Sequence, residues 1–182
     1  MMHMNGSFGV VRDIRRAVRD LIGAGFLAAG IAGGIVILGG GGEGSALAAA
    51  IFFGLLAALA VFDARTETVP DVLTLSLILS GLVTTSAMGG ALGLHAVPAL
   101  GLLAVGVLQG WYTDDRGAIG SGDTLLFAGV TAWLGPWLMA DVLILAAILL
   151  GVQCILMRRT TGAFAPALAL AAAIVWFGGP IL

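Results

Sequence analysis

Apolar residues arrive along this chain in long blocks rather than at a helical or strand period. Seven blocks follow a polar opening: about Leu21 to Leu38, Ser45 to Phe62, Val69 to Ala87, Ala91 to Gln109, Asp123 to Gly135, Leu138 to Met157 and Ala163 to Phe177. A helix needs about 20 apolar residues to cross a bilayer, within a range of about 17–25. Blocks near that length that are apolar on every side predict helices surrounded by lipid and by each other.

The intervals between blocks carry their own signals. Gly39 to Gly44 reads as a loop, Asp63 to Thr68 as a polar interval and Met88 to Gly90 as a short turn. Pro70 opens the third block, where a missing N–H costs nothing. Pro98 predicts a kink in the fourth block, and Gly135-Pro136 separates the fifth from the sixth. Gly30 and Gly34 predict a close-packing face on the first helix. Trp111 and Tyr112 mark an aromatic belt at a membrane interface. In Met1–Asp20, Val11, Ile14, Val18 and Leu21 recur at helical spacing, with Arg12, Arg15, Arg16 and Arg19 largely off that stripe. This predicts a short amphipathic helix on the membrane surface. The expected organisation is a basic cytoplasmic segment, 1–20, and one transmembrane domain, 21–182.

Composition agrees with the pattern. Of 182 residues, 60% are hydrophobic and 10% charged, against roughly 25% charged in soluble domains. The absence of a basic stripe excludes nucleic acid as a partner. The one cysteine, Cys154, cannot form an internal disulfide or a paired-cysteine zinc site. His3 lies in the polar tail and His95 in an apolar block, where a packed histidine is the expectation. No metal or cofactor is therefore expected.

All eight basic residues are arginines. With seven spans and a cytoplasmic N-terminus, every one falls in a cytoplasmic interval: Met1–Asp20, Asp63–Thr68, Thr113–Gly122 or Arg158–Gly162. Positive charge collects on the cytoplasmic side, so the chain is expected to be an all-α, seven-helix polytopic membrane bundle in that orientation. The same alternation puts Asp63 and Asp123 on one side of the membrane at matching depth.

Ten acidic residues remain to be placed. Asp13 and Asp20 are expected to partner the N-terminal arginines, and Asp114 and Asp115 to form a solvated turn. Glu43 and Asp141 are expected to be solvated or capping near outer loops, and Glu67 to face water or pair with Arg65. Asp71 and Asp123 each open an apolar block, where a carboxylate accepts orphan helix N–H groups. Capping is the stronger reading for Asp71, whereas for Asp123 it is compatible with chemistry. Asp63 closes an apolar block, at the wrong end of a helix dipole and with no local partner. Two carboxylates at a low-dielectric boundary resist joint ionisation and share a proton. Such a pair can activate water and protonate a leaving amine, or relay protons across a membrane. With two histidines, no serine or cysteine triad competes. The residues alone leave an intramembrane acid protease and a proton- or cation-coupled transporter both open.

Two blocks resemble the type IV prepilin peptidase family, including the preflagellin peptidases. These are membrane aspartyl proteases with a G-x-G-D motif, distantly akin to presenilin in that motif. The run from Phe62-Asp63-Ala64-Arg65 through Val69-Pro70-Asp71-Val72-Leu73-Thr74 is similar to the first family block, and Gly120-Ser121-Gly122-Asp123 to the second. A weaker likeness links Phe164-Ala165-Pro166-Ala167 to a motif of the last family helix. The resemblance covers roughly Ala46 to Ala172. It implies Asp63 and Asp123 as the catalytic pair, with Gly120, Gly122, Pro70, Asp71 and Arg65 supporting them. The implied substrates are Flp-like prepilins with a hydrophobic N-terminal helix and a short basic leader, cut at the cytoplasmic face of the plasma membrane. The lipid bilayer is a partner, and the resemblance leaves room for a homo-oligomer. A lysine common shortly after the second family aspartate is missing, since Thr124-Leu125-Leu126 follow Asp123. That departure keeps a catalytically inactive assembly homologue in view. With no four-cysteine block in the sequence, the resemblance is to the short, Flp/Tad-like form, and N-methyltransferase activity is not implied.

Overall fold

The computed structural model describes residues 6–112, 120–158 and 163–181. Six helices make up the regular structure among them: α1 (Gly6–Leu38), α2 (Glu43–Thr66), α3 (Asp71–Ala87), α4 (Leu92–Tyr112), α5 (Ser121–Met157) and α6 (Phe164–Gly178).

The longest helix, α5, is two rods. Gly135 takes φ 76° and ψ 171°, outside helical geometry, and Pro136 follows it. Unbroken, 37 residues would extend about 55 Å. Yet Asp123 in the first turn of α5 and Phe164 at the start of α6 line one cavity. Phe164 lies six residues beyond Arg158, the cap of α5, a reach of about 20 Å at most. The chain must therefore double back at Gly135. At the opposite end the Ile181 N–H, just past α6, donates to Asp141 Oδ2 at 3.0 Å, near the start of the second rod. Among the described residues, with α5 counted as two, seven helical rods stand where seven apolar blocks were read.

The reversal frees a carbonyl. Pro136 has no N–H to offer Ala132, four residues back, and an unmet carbonyl is costly in an apolar interior. Thr85 Oγ1 donates to Ala132 O at 3.3 Å, and His95 Nδ1 lies 3.2 Å from the same oxygen. A Cβ at Gly135 would come within 3.2 Å of the His95 ring. His95 is thus a packed histidine that serves the bend.

Helix α5 is the hub, touching α3, α4 and α6, while α2 joins α1, α3 and α6. Leu56 and Leu59 of α2, Leu126 and Val130 of α5 and Leu168 of α6 are fully enclosed. Phe52 packs against Trp133 and Trp176 at ring-centroid distances of 5.0 and 5.3 Å. Outward faces are equally apolar: Phe26, Leu79, Val83, Val97 and Leu156 are all more than 60% exposed. An apolar interior under an apolar exterior is the arrangement of a protein dissolved in lipid. Glu43–Thr66 and Leu92–Tyr112 are each long and apolar enough to cross a bilayer, and Ser121–Leu156 is so by length and composition over its two rods together. The chain is a multi-pass membrane helix bundle.

Several details differ from the sequence reading. The close-packing face of α1 is Gly25, Ala29 and Gly33, set against Ala46, Ala50, Gly54 and Ala58 of α2. A Cβ at Gly25 would sit 3.2 Å from Gly54 O, and one at Gly33 3.3 Å from Ala46 O. Gly30 and Gly34 have nothing within 4 Å of where a Cβ would be. Both faces show four-residue spacing, and α1 uses the one that meets the small residues of α2. The helix α1 runs unbroken from Gly6, joining the basic stretch and the first apolar block in one rod. Asp141 is buried rather than solvated, because it anchors the chain after α6.

Candidate active site

The end of α2 builds one wall. The helix continues past Phe62 to Thr66, so Asp63 lies in its last turn rather than in a loop. Glu67 caps it in the left-handed region (φ 51°, ψ 31°), donating its N–H to Asp63 O at 2.9 Å. Thr66 Oγ1 closes the turn on Phe62 O and Thr68 Oγ1, each at 2.9 Å. The side chain of Asp63 points inward, leaving the residue 5% exposed.

The missing partner of Asp63 comes from the far end of the chain. The Ala165 N–H in the first turn of α6 donates to Asp63 Oδ2 at 2.9 Å, across 102 residues. The cap of α6, Ala163, has no side chain able to cap. A carboxylate at the wrong end of its own helix is therefore at the favourable, positive end of another. No local pattern reveals this bond. The only sequence signal was the weak likeness at Phe164-Ala165-Pro166-Ala167.

Asp123 is the third residue of α5. The N-cap is Gly120 (φ −65°, ψ 148°), with no side-chain cap, and Thr124 N–H bonds to Gly120 O at 3.2 Å. Asp71 is the first residue of α3, whose N-cap is Pro70, again without a side-chain cap bond. Neither acid caps its own helix, so the capping reading of Asp71 does not hold. Pro70 instead accepts the Leu73 and Thr74 N–H groups at 3.1 and 3.2 Å, which sets where α3 begins.

A cavity of about 360 Å³ joins these pieces. Asp63 and Asp123 both line it, with Glu67, Thr68, Val69 and Asp71 from the α2–α3 side, Gly120, Ser121 and Gly122 from α5, and Ala163 and Phe164 from α6. Among the described residues four carboxylates face this space, and none that lines it is basic. Among the described residues no cluster of three or more His, Cys, Asp or Glu could hold a metal ion.

The structure brings together Asp63, Asp123, Asp71, Gly120 and Gly122, five of the seven residues singled out from the sequence. Pro70, between the lining residues Val69 and Asp71, is not itself part of the lining. Arg65 does not line the cavity. Its Nη2 pairs with Asp20 Oδ2 of α1 at 2.7 Å rather than with Glu67. Asp114, Asp115 and Arg116 lie outside the described residues. Sequence reasoning missed Val69, Ser121 and the Ala165 amide.

The two motif glycines have different surroundings. A Cβ at Gly120 would meet only Asp123 Oδ2, at 3.8 Å, whereas one at Gly122 would stand 3.1 Å from Val69 Cβ. Gly122 thus lets α5 press against the segment linking α2 to α3. Gly122→Val is expected to displace Asp123 and to lower any reaction that uses it about 10–100-fold, since small displacements of a reacting group cost that much. Helical content by circular dichroism should be unchanged. Wild-type activity in this variant would show that the Val69 contact does not matter.

Helix ends distant in the chain thus bring two acids, Asp63 and Asp123, to one cavity of a membrane helix bundle. The chain belongs to the Type IV leader peptidase family, which it matches over residues 50–156. It is 34% identical over 150 residues to a prepilin leader peptidase/N-methyltransferase of Dickeya chrysanthemi, covering 75% of this chain and 47% of that protein. The Escherichia coli K12 protein of the same description is 37% identical over 136 residues, 68% of this chain and 60% of the relative. A type 4 prepilin-like proteins leader peptide-processing enzyme from enterotoxigenic E. coli is 33% identical, covering 70% and 50%. The chain spans about half to three-fifths of the length of these relatives. No solved structure matches it.

Proposed function

We propose that the protein is an intramembrane aspartyl endopeptidase that removes the short basic leader from Flp-like prepilins. The observation that carries this reading is that Asp63 and Asp123, one from each sequence block, line the same cavity. Family membership supports the activity. The arginine distribution supports seven spans, a cytoplasmic N-terminus and a site at the cytoplasmic face of the inner membrane. The division into a basic segment, 1–20, and a peptidase domain, 21–182, belongs to the same reading.

In the mechanism, the two carboxylates hold one proton between them. The ionised member takes a proton from water as its oxygen attacks the scissile carbonyl carbon. The protonated member donates to the carbonyl oxygen, giving a neutral gem-diol. Collapse breaks the C–N bond, and a proton passes to the departing amine. The hydrogen bond donated by the Ala165 N–H fixes Asp63 Oδ2 and leaves Oδ1 to the reaction. Open space over Gly120 admits a substrate backbone close to Asp123. Glu67 and Asp71 add negative charge to the wall, which suits a basic leader. The reading covers cleavage alone and assigns no methyl transfer.

Co-expression with an Flp-type prepilin tests it. Asp123→Asn and Asp63→Asn should each leave the prepilin at its unprocessed size on an immunoblot, while the wild type shortens it. Processing that survives either substitution removes the dyad. Loss of proton-driven flux with processing intact would move the pair to transport.

A further inference from the structure

We infer that Thr124 and Gln109 form a positioning pair that sets the place of Asp123 by tying the first turn of α5 to the last turns of α4. This rests on the peptidase reading above and extends it to residues outside the cavity.

The first turn of α5 has little hold on itself. Its N-cap is a glycine and carries no side-chain cap bond. The grip comes from α4. Thr124 Oγ1 donates to Gln109 Oε1 at 2.8 Å. The alternative acceptor, Gly120 O in the same turn, is farther off at 3.4 Å, and one hydroxyl has one proton to give. Thr124 is 5% exposed, so little water competes for this bond and losing it leaves a buried polar group unmet.

Close packing surrounds the bond. A Cβ at Gly106 would stand 3.0 Å from Leu125 Cδ2 and 3.4 Å from Ser121 O, and one at Gly110 3.9 Å from Ser121 Cβ. Residues 106, 109 and 110 share one helix face. They form a saddle, two glycines wide with one amide clasp, that receives residues 121–125. On the other side Gly122 is pressed against Val69. Asp123 therefore lies between two residues that are each held from outside α5: Gly122 by the α2–α3 link and Thr124 by α4. Neither Thr124 nor Gln109 lines the cavity, so their influence on the reaction runs through Asp123.

The test uses the full-length protein, purified and reconstituted in vesicles with a leader-bearing Flp-type prepilin. Thr124→Val keeps the side-chain shape and removes the hydroxyl. Gln109→Met keeps the length and removes the acceptor. Each should lower kcat about tenfold with KM within about twofold of wild type. Thr124→Ser should recover most of the lost kcat. The double variant should be no slower than the slower single one, because both remove the same bond. Melting midpoints measured alongside separate misplacement of Asp123 from a loss of folding, and Thr124→Ser covers the case in which valine does not fold. The inference is overturned if Thr124→Val keeps wild-type kcat, if serine is as slow as valine, or if the two single losses multiply in the double variant. If the wild type itself leaves the prepilin uncut, the peptidase reading has failed. Processing by wild type and Thr124→Val alike defeats the positioning pair alone.

Discussion

Asp63→Ala is expected to abolish processing and also to lower the melting temperature of the purified protein, whereas Asp63→Asn should abolish processing and leave stability nearly unchanged. The difference follows from the bond between Asp63 Oδ2 and the Ala165 N–H. Alanine leaves that amide in a buried place without an acceptor, at a cost of about 1–3 kcal/mol, similar to the loss of a helix cap. For a chain of this size that corresponds to roughly 3–10 °C. The amide oxygen of asparagine can still accept the bond but cannot exchange a proton, so only chemistry is lost. Processing should fall at least about a thousandfold in both variants, as it does when one member of a catalytic unit is removed. Immunoblots against the prepilin and thermal unfolding in detergent read the two effects separately. Equal melting temperatures for the alanine and asparagine variants would mean that Asp63 does not hold α6.

Gly81→Leu is expected to prevent accumulation of folded protein in the membrane. A Cβ at Gly81 would stand 2.7 Å from Trp133 Cδ1 and 3.0 Å from the backbone carbon of Ala132. Neither neighbour can yield cheaply. Trp133 is fixed by its Nε1–H bond to Leu77 O at 2.9 Å and by packing on Phe52. Ala132 carries the carbonyl that Thr85 and His95 hold at the bend. Overpacking a tight core contact costs about 1–3 kcal/mol and more where backbone must move. The damage would fall on the rod that bears Asp123. Gly93→Leu is the comparison, since nothing lies within 4 Å of a Cβ there. Yields of monodisperse protein after extraction measure the contrast, and similar yields for both variants would refute the account.

The block pattern was enough to find the rods, including the separation at Gly135-Pro136, because a bilayer imposes length and apolarity on every crossing segment. It was also enough to expect Asp63 and Asp123 on one side of the membrane, since alternation of direction sorts helix ends without any knowledge of packing. Faces were a different matter. A helix that is apolar all round has no stripe to say which side meets protein and which meets lipid, so the pattern pointed to Gly30 and Gly34 where packing uses Gly25 and Gly33. The Ala165 bond to Asp63 and the Asp20 bond to Arg65 span 102 and 45 residues. A side-chain partner at such separation is set by three-dimensional packing and leaves no periodic trace. The same is true of Asp141, which a loop-proximal reading left solvated and which the chain after α6 encloses.

The reversal at Gly135 has a consequence for the surrounding lipid. The first rod of α5, residues 121–134, extends about 21 Å; α3, with 17 residues, and α6, with 15, extend about 26 and 23 Å. The hydrocarbon layer is about 30 Å thick. The helices that frame Asp123 and Asp71 are thus too short for the medium they stand in, beside α2 with 24 residues. Hydrophobic mismatch is built into that flank: the bilayer thins around it or the helix ends lie beneath its surface. Either way, acyl-chain length becomes part of the environment of the helices that carry Asp123 and Asp71.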